Sequence, residues 1–353
     1  MSNVEPTSFN HISFNHTYAA DDVSLHIDAG EVELVSVMEK ESRLAQGEHY
    51  GHLLTPEAPP DALQHQLFGA LLEQSAPRLA GQIFALATQL HAAHGAYITL
   101  VSLVRAGLPI GVLLMRQLRR LGVDVSHHGV SIIRGHGIDR AALKEVTQRR
   151  GTRHVVFVDG WTGKGSIRAE LEQSLTGGPV ALELLVVCDP AGVADLQATF
   201  ADEQLPHALL NATVSGLLSR SFLHSAGPRH AARFEASLLE HDLSLQYVNA
   251  IDAHLLGNTL IPSPALGTRP LEAAGRALAL ARLHGARDAS RIKASLGESW
   301  RALLRRSTRA LLLGPDHPEQ WAISAFARAK GVPVIRFTDS LPYHCLALLE
   351  ENQ

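Results

Sequence analysis

Apolar and polar positions along this chain fall into two rhythms. Between residues 97 and 188, short, largely apolar runs (97–104, 154–159 and 182–188) and a more mixed strand at 125–133 alternate with segments at 108–121, 139–149 and 166–175. In those segments apolar residues recur at three- and four-residue steps. A strand that is apolar on both faces has to be covered on both, so such runs separated by helices predict a parallel sheet between two helical layers. Ligands of such sheets bind at the carboxyl ends of the strands. Upstream, 21–60 is short and mixed, and helical periodicity runs over 61–74 and, after Pro77, on to His94. Downstream, 231–255 reads as mostly helical. Residues 256–270, with Gly257, Pro262, Pro264, Gly267 and Pro270, read as a linker. Helices over 271–283 and 298–306 then precede a compact β-α-β-β pattern at 309–313, 318–330, 332–337 and 344–349. The expected organisation is an α/β domain over 1–255, a linker over 256–270 and a small α/β domain over 271–353.

A length of 353 residues suits about two domains. The net charge of −4 gives no global attraction to nucleic acid or membrane, so any basic site has to be local. No apolar run reaches the length of a membrane span, and Met1 to Tyr18 has no apolar stretch of the kind that marks a secretory signal. The 2 cysteines, Cys188 and Cys345, lie far apart, form no disulfide framework and suit a reducing cytoplasm. The 20 histidines show no metal-ligand spacing with supporting acids or cysteines and read as scattered surface residues. Ser8-Phe9-Asn10-His11 is echoed by Ser13-Phe14-Asn15-His16, which reads as an extended arm.

The richest chemistry lies at 154–167. A buried strand ends in Asp159; a loop with Gly160, Trp161, Thr162, Gly163, Lys164 and Gly165 follows, and a helix opens at Ser166. Glycines let several backbone N–H groups converge on an anion, and a helix start adds unpaired donors and a positive dipole end. A carboxylate beside such a cradle suits a ligand with both phosphate and hydroxyls, such as a phosphorylated ribose. The spacing excludes a Walker loop, which needs four residues between its first Gly and Gly-Lys-Ser/Thr. Two further strand exits carry arginine and glycine: Arg105-Ala106-Gly107, and Arg134-Gly135-His136-Gly137 before Asp139. Asp139 reads as a helix N-cap. A fourth exit holds Cys188-Asp189-Pro190-Ala191-Gly192, with Cys188 read as a buried small side chain.

The Asp159 loop resembles the signature of type I phosphoribosyltransferases, with Gly160 standing where a second acid is usual. The four exits in order, Ser-Leu-Val-Arg-Ala-Gly, Ser-Ile-Ile-Arg-Gly, Val-Asp-Gly-Trp-Thr-Gly-Lys-Gly and Asp-Pro-Ala-Gly, resemble the StiP family over about residues 17–255. Its members are phosphoribosyltransferase-like proteins of tellurite-stress operons that are also named as cysteine proteases. The tail, with Gly297 to Arg306 and Gly331-Val332-Pro333-Val334, is similar to a Pelota-like (L7Ae-like) RNA-binding module. The resemblance implies a phosphoribosyltransferase-like fold and a glycosyltransferase that takes phosphoribosyl pyrophosphate or a nucleotide, with Mg²⁺ carried by the donor. Thr162, Gly163, Lys164, Gly165 and Ser166 would hold a 5-phosphate, and Asp159 a ribose hydroxyl or the donor's metal. Arg105, Ala106 and Gly107 would hold pyrophosphate, Arg134 would close over it, and Asp189 would touch the acceptor. A cysteine hydrolase and a non-catalytic regulator that binds a phosphorylated nucleoside and RNA stay open as alternatives, as does a homodimer. The tail's basic residues Lys293, Arg301, Arg305, Arg306 and Arg309 are expected to bind RNA, on a fragment from about residue 271 onward that folds alone.

Overall fold

Six parallel strands form the main sheet: β1 (Ser24–His26), β2 (Tyr97–Val104), β3 (Asp124–Ile133), β4 (Val155–Val158), β5 (Leu184–Cys188) and β6 (Leu196–Thr199). The structure, a computed structural model, describes residues 14–224, 227–315 and 317–350, so the Ser8–His11 motif lies outside the described residues. The spatial order is β1-β3-β2-β4-β5-β6, with Gly137–Ile138 folding back antiparallel onto the end of β3. From β2 the chain crosses first to one side, to β3, and then to the other, to β4. The strand order therefore reverses at β2 and β4, and the loops after these two strands open a crevice between them.

The helices are α1 (Val37–Ala45), α2 (Ala62–His94), α3 (Gly107–Arg120), α4 (Arg140–Arg150), α5 (Ser166–Leu175) and α6 (Ser244–Leu256). One apolar layer joins α2, α3 and α6 to the sheet, and the other joins α4 and α5 to Val101, Phe157 and Val186. Asp61 starts α2 with a reciprocal cap, accepting from the Gln64 N–H while the Gln64 side chain accepts from its own. Asp139 caps α4, as its position suggests. Two expected helices at 61–94 are one, because Pro77 sits inside α2, where the burial of Leu71, Leu79, Ile83 and Leu86 outweighs the lost bond. The stretch expected to be helical over 231–255 holds a two-residue strand (Ala231–Ala232) and a 3-10 turn (Ala236–His241) before α6. Its small apolar residues fit either period, and pairing with Asp28–Ala29 decides for extended backbone. The expectation of surface histidines is also overturned: His26, His127, His128, His207 and His230 are buried. His26 and His128 share a hydrogen bond of 3.0 Å, and His127 meets Ser102 at 2.7 Å.

The C-terminal part begins with α7 (Ala273–Leu283). It has a four-stranded sheet of β7 (Ile292–Ala294), β8 (Thr308–Leu313), β9 (Val334–Arg336) and β10 (Cys345–Leu349), with α8 (Leu296–Arg305) and α9 (Gln320–Ala329). The order is β7-β10-β8-β9, antiparallel except for the last pair. One face of this sheet closes on α7; on the other side Leu296, Trp300 and Leu303 join the apolar cluster of α2 and α3. The indole N–H of Trp300 donates to Gln204 at 2.6 Å, and Asp202 accepts from the N–H groups of Leu296 and His344 at 2.9 Å each. Excision at residue 271 would strip the apolar face of α8 and the acid that caps it, which weighs against the expectation that residues from 271 onward fold alone. No helix of the described residues is long and apolar enough to cross a membrane.

Asp202 makes this junction sensitive to pH. Burial pushes its carboxyl up to about 7 from an ordinary 3.8, although the Leu296, His344 and Cys345 N–H groups favour the charged form. A carboxyl raised in the folded chain stabilises most where both states are protonated, below about 4, and loses that contribution as pH climbs toward 7. Denaturant melts across that window should show wild type losing stability on this account. Asp202→Asn should lack that part of the slope, and equal slopes would mean that Asp202 is not protonated in the fold.

Candidate functional site

The crevice at β2 and β4 is a cleft of about 270 Å³ whose walls come from both parts of the chain. From the main sheet it receives Arg105, Arg134, Asp159 and Lys164; Lys293, Glu298, Arg301 and Arg305 come from the C-terminal part. Arg168 and Arg220 add to the cationic lining. Glu57 and Asp195 pair with Arg105 and Arg168, and with these counted the eight cations still outnumber four acids, which leaves a positive field where counter-charge is drawn in.

Asp159 ends β4 and accepts from the Gly160 N–H at 2.8 Å. Burial pushes its carboxyl up to about 6, against the pull of Arg301. Gly165 takes a left-handed conformation (φ 89°) and leaves the first turn of α5 without a side-chain cap, so its N–H groups remain unclaimed at the cleft. Ser166 opens this helix at the rim. Lys164 is not free: its ammonium donates to the carbonyls of Ala289 and Ile292 across the junction. Burial, with Lys293 and Arg134 nearby, lowers it to about 8. Gly163 is also engaged, its carbonyl accepting from the Tyr343 hydroxyl at 2.7 Å. Two of the five residues expected to hold phosphate thus tie the two parts together.

Arg105 sits at the exit of β2, where the Val104–Arg105 peptide is cis. Its guanidinium donates to Glu57 at 2.6 Å and to the Leu218 carbonyl at 2.7 Å. Ala106 lines the cleft, whereas Gly107 serves packing, because a Cβ there would fall on the Val158 carbonyl. Gly160 likewise packs under His207 and does not line the cleft. Arg134 is exposed at the rim, its backbone N–H donating to the Tyr50 hydroxyl. Two expectations need correcting. Asp189 is fully buried and accepts from Thr162 Oγ1 at 2.7 Å and from the Val193 and Ala194 N–H groups, so it is a loop clasp and not a ligand contact. Thr162 spends its hydroxyl on that clasp.

Tyr50 and Glu298 escaped the sequence reading as cleft residues, and so did the destination of α8. Glu298, Arg301 and Arg305 recur at three- and four-residue steps on α8, the one signal available, and together face the cleft. The basic tail cluster is therefore not a free RNA surface. Arg306 pairs with Glu41, Arg309 donates to the His284 carbonyl, and Arg301 stacks over Trp161 at 4.5 Å while donating to Glu298 at 3.2 Å. Burial alone would raise Glu298, but Arg301, Lys293 and Arg305 outweigh it and hold its carboxyl below the ordinary value. Arg305 makes no hydrogen bond or ion pair among the described residues. Burial, Arg301 and Arg105 together lower it to about 9. A half-buried guanidinium without an acceptor on the protein is well placed to meet an anion.

The thiols stand apart from this chemistry. Cys188 and Cys345 are both 0% exposed, and burial raises both well above the ordinary thiol value. Cys188 meets the backbone of Glu203, and Cys345 meets Ser299. Among the described residues no group of three His, Cys, Asp or Glu side chains is placed to hold a metal ion.

The family described as Tellurite-like stress resistance cysteine protease StiP matches residues 16–252, and the PELOTA RNA binding domain matches residues 273–351. Cysteine protease StiP of Acinetobacter baylyi is 34% identical over 364 residues, 96% of this chain and 94% of that protein. Among solved structures, hypoxanthine phosphoribosyltransferase from Trypanosoma cruzi in complex with the product IMP is similar at 17% identity over 33% of this chain and 68% of its own, with a TM-score of 0.26. A hypothetical protein from Neisseria gonorrhoeae with bound ppGpp is similar at 14% identity over 31% and 66%, also at 0.26. Likenesses this partial carry no functional argument. The expectation of a glycosyltransferase is overturned, since the family and the relative that span most of the chain are named as a cysteine protease. The chain belongs to the family described as Tellurite-like stress resistance cysteine protease StiP and carries a PELOTA RNA-binding domain at its C-terminal end.

Proposed function

We propose that this chain works in stress resistance as an RNA-binding regulator that senses a phosphorylated, nucleotide-like ligand in the cationic cleft. The observation that carries this is Arg305, an unpartnered guanidinium facing a space walled by seven other cations. The uncapped start of α5 supplies backbone donors to a phosphate, and Asp159 supplies an acceptor for a sugar hydroxyl. Of the two carboxylates in the cleft, Glu298 is paired with Arg301, so Mg²⁺ fits here only as a partner of the ligand's own phosphates. Calorimetric titration of the full chain with inorganic pyrophosphate and with a nucleoside 5′-diphosphate, with and without magnesium, tests the reading. Micromolar binding is expected; no heat at millimolar concentration overturns it.

A second reading follows the relative's name. Cys188 ends the strand beside the cleft floor, its carbonyl accepting from the Thr162 N–H at 3.0 Å, and Tyr247 nearby is hydrogen-bonded to His207 at 2.9 Å. A peptidase needs an accessible thiolate, whereas this thiol is covered and its pKa is raised. Under the first reading, a thiol-alkylating reagent leaves both cysteines untouched until the protein unfolds, and Cys188→Ser changes neither ligand nor RNA binding. Alkylation of folded protein at Cys188, together with cleavage of a denatured protein substrate that Cys188→Ser abolishes, would establish the peptidase instead.

A further inference from the structure

The RNA-binding domain contributes to the wall of the cleft, which bears on what occupies it. Lys293, Glu298, Arg301 and Arg305, a large part of its wall, come from β7 and α8 of that domain. An RNA-binding domain that turns its most basic helix face inward brings its charge to bear on whatever enters this cleft, and not on an open flank. At about 270 Å³ the space is on the scale of a single nucleotide, too small for a duplex. Its charges fall into two groups. Arg305 lies close enough to feel Arg301 and Arg105, and Lys164 close enough to feel Lys293 and Arg134. Asp159 and Glu298 lie along the same wall and suit sugar hydroxyls, the groups that distinguish RNA from DNA. Arg305, with no acceptor among the described residues, suits a terminal phosphate, and exposed Arg134 suits the next phosphate of a chain leaving the cleft.

We infer that the cleft takes the phosphorylated end of an RNA strand, so that small nucleotides compete with RNA ends for one site. This rests on the reading of the cleft as a phosphate site. The test uses the full chain and three short single-stranded RNAs of one sequence, carrying a 5′-phosphate, a 3′-phosphate or hydroxyls at both ends. Affinities are read by fluorescence anisotropy at fixed salt, since phosphate contacts make binding salt-dependent. One phosphorylated RNA should bind about tenfold tighter than the dihydroxyl RNA, and inorganic pyrophosphate should erase the difference. Arg305→Ala should bring the three RNAs to a common affinity, and Arg305→Lys should restore part of the gap; thermal melts check that both variants fold. Equal affinities in wild type, or a gap that survives Arg305→Ala, would overturn the inference. Should pyrophosphate bind the protein by calorimetry while the three RNAs bind alike, only the RNA-end assignment falls and the phosphate site stands.

Discussion

Trp300→Ala should cost about 3–5 kcal/mol of stability, the range for emptying a buried aromatic site. Trp300 is 0% exposed, packs at a tilt against Phe326 at 5.1 Å between ring centroids, and satisfies Gln204 at 2.6 Å. Its loss leaves a cavity at the seam and an amide without its donor, and neither can be filled by a shift of one domain alone. Denaturant unfolding should show a lower midpoint, and anion binding should weaken in the folded variant because α8 carries the cleft arginines. Trp300→Phe, which keeps most of the volume, should recover the larger share of the loss. A change under about 1 kcal/mol would show that the two parts are merely in contact.

Arg305→Glu should reduce binding of pyrophosphate or a nucleotide by at least about a hundredfold. A lost charge-assisted contact accounts for about 1.5–3 kcal/mol, and the new carboxylate adds repulsion toward the same anion. Stability should change little, because no hydrogen bond or ion pair of the described residues is lost. The acid would also relieve the crowding of Arg301 and Arg105. Calorimetry and a melting curve on the same sample separate the two effects. Unchanged affinity would place the ligand elsewhere.

The parts of this architecture that were legible in sequence are those in which one side chain type repeats. The runs that became β2, β4 and β5 are largely apolar on both faces and have to be covered on both, so the loops at Arg105 and Asp159 could be placed at one sheet edge. Ser166 could be read as a helix start because glycine precedes it. The edge strands β1 and β6 were not legible; they are three and four residues long and half polar, and only their neighbours make them strands. His127 and His128 looked like surface polarity because a lone sequence shows no partner; Ser102 and His26 supply the partners from other strands. The i, i+4 spacing of Arg301 and Arg305 was visible, but its destination was not. A helix face tells what it carries and not what it meets, and here the partner is the loop around Trp161. Gly297 records that meeting, since a Cβ there would fall on the Trp161 ring.

The continuous apolar core across the seam has a consequence for how the chain comes apart. Residues 257–272 contain no regular helix or strand, and most are exposed, which is where a protease would cut. Yet a cut there severs only the covalent thread. Leu296, Trp300 and Leu303 stay embedded beside α2, Lys164 stays tied to Ala289 and Ile292, and Arg78 stays paired with Glu319. The two fragments should therefore travel together through gel filtration and melt in one transition, a nicked molecule behaving as a whole one.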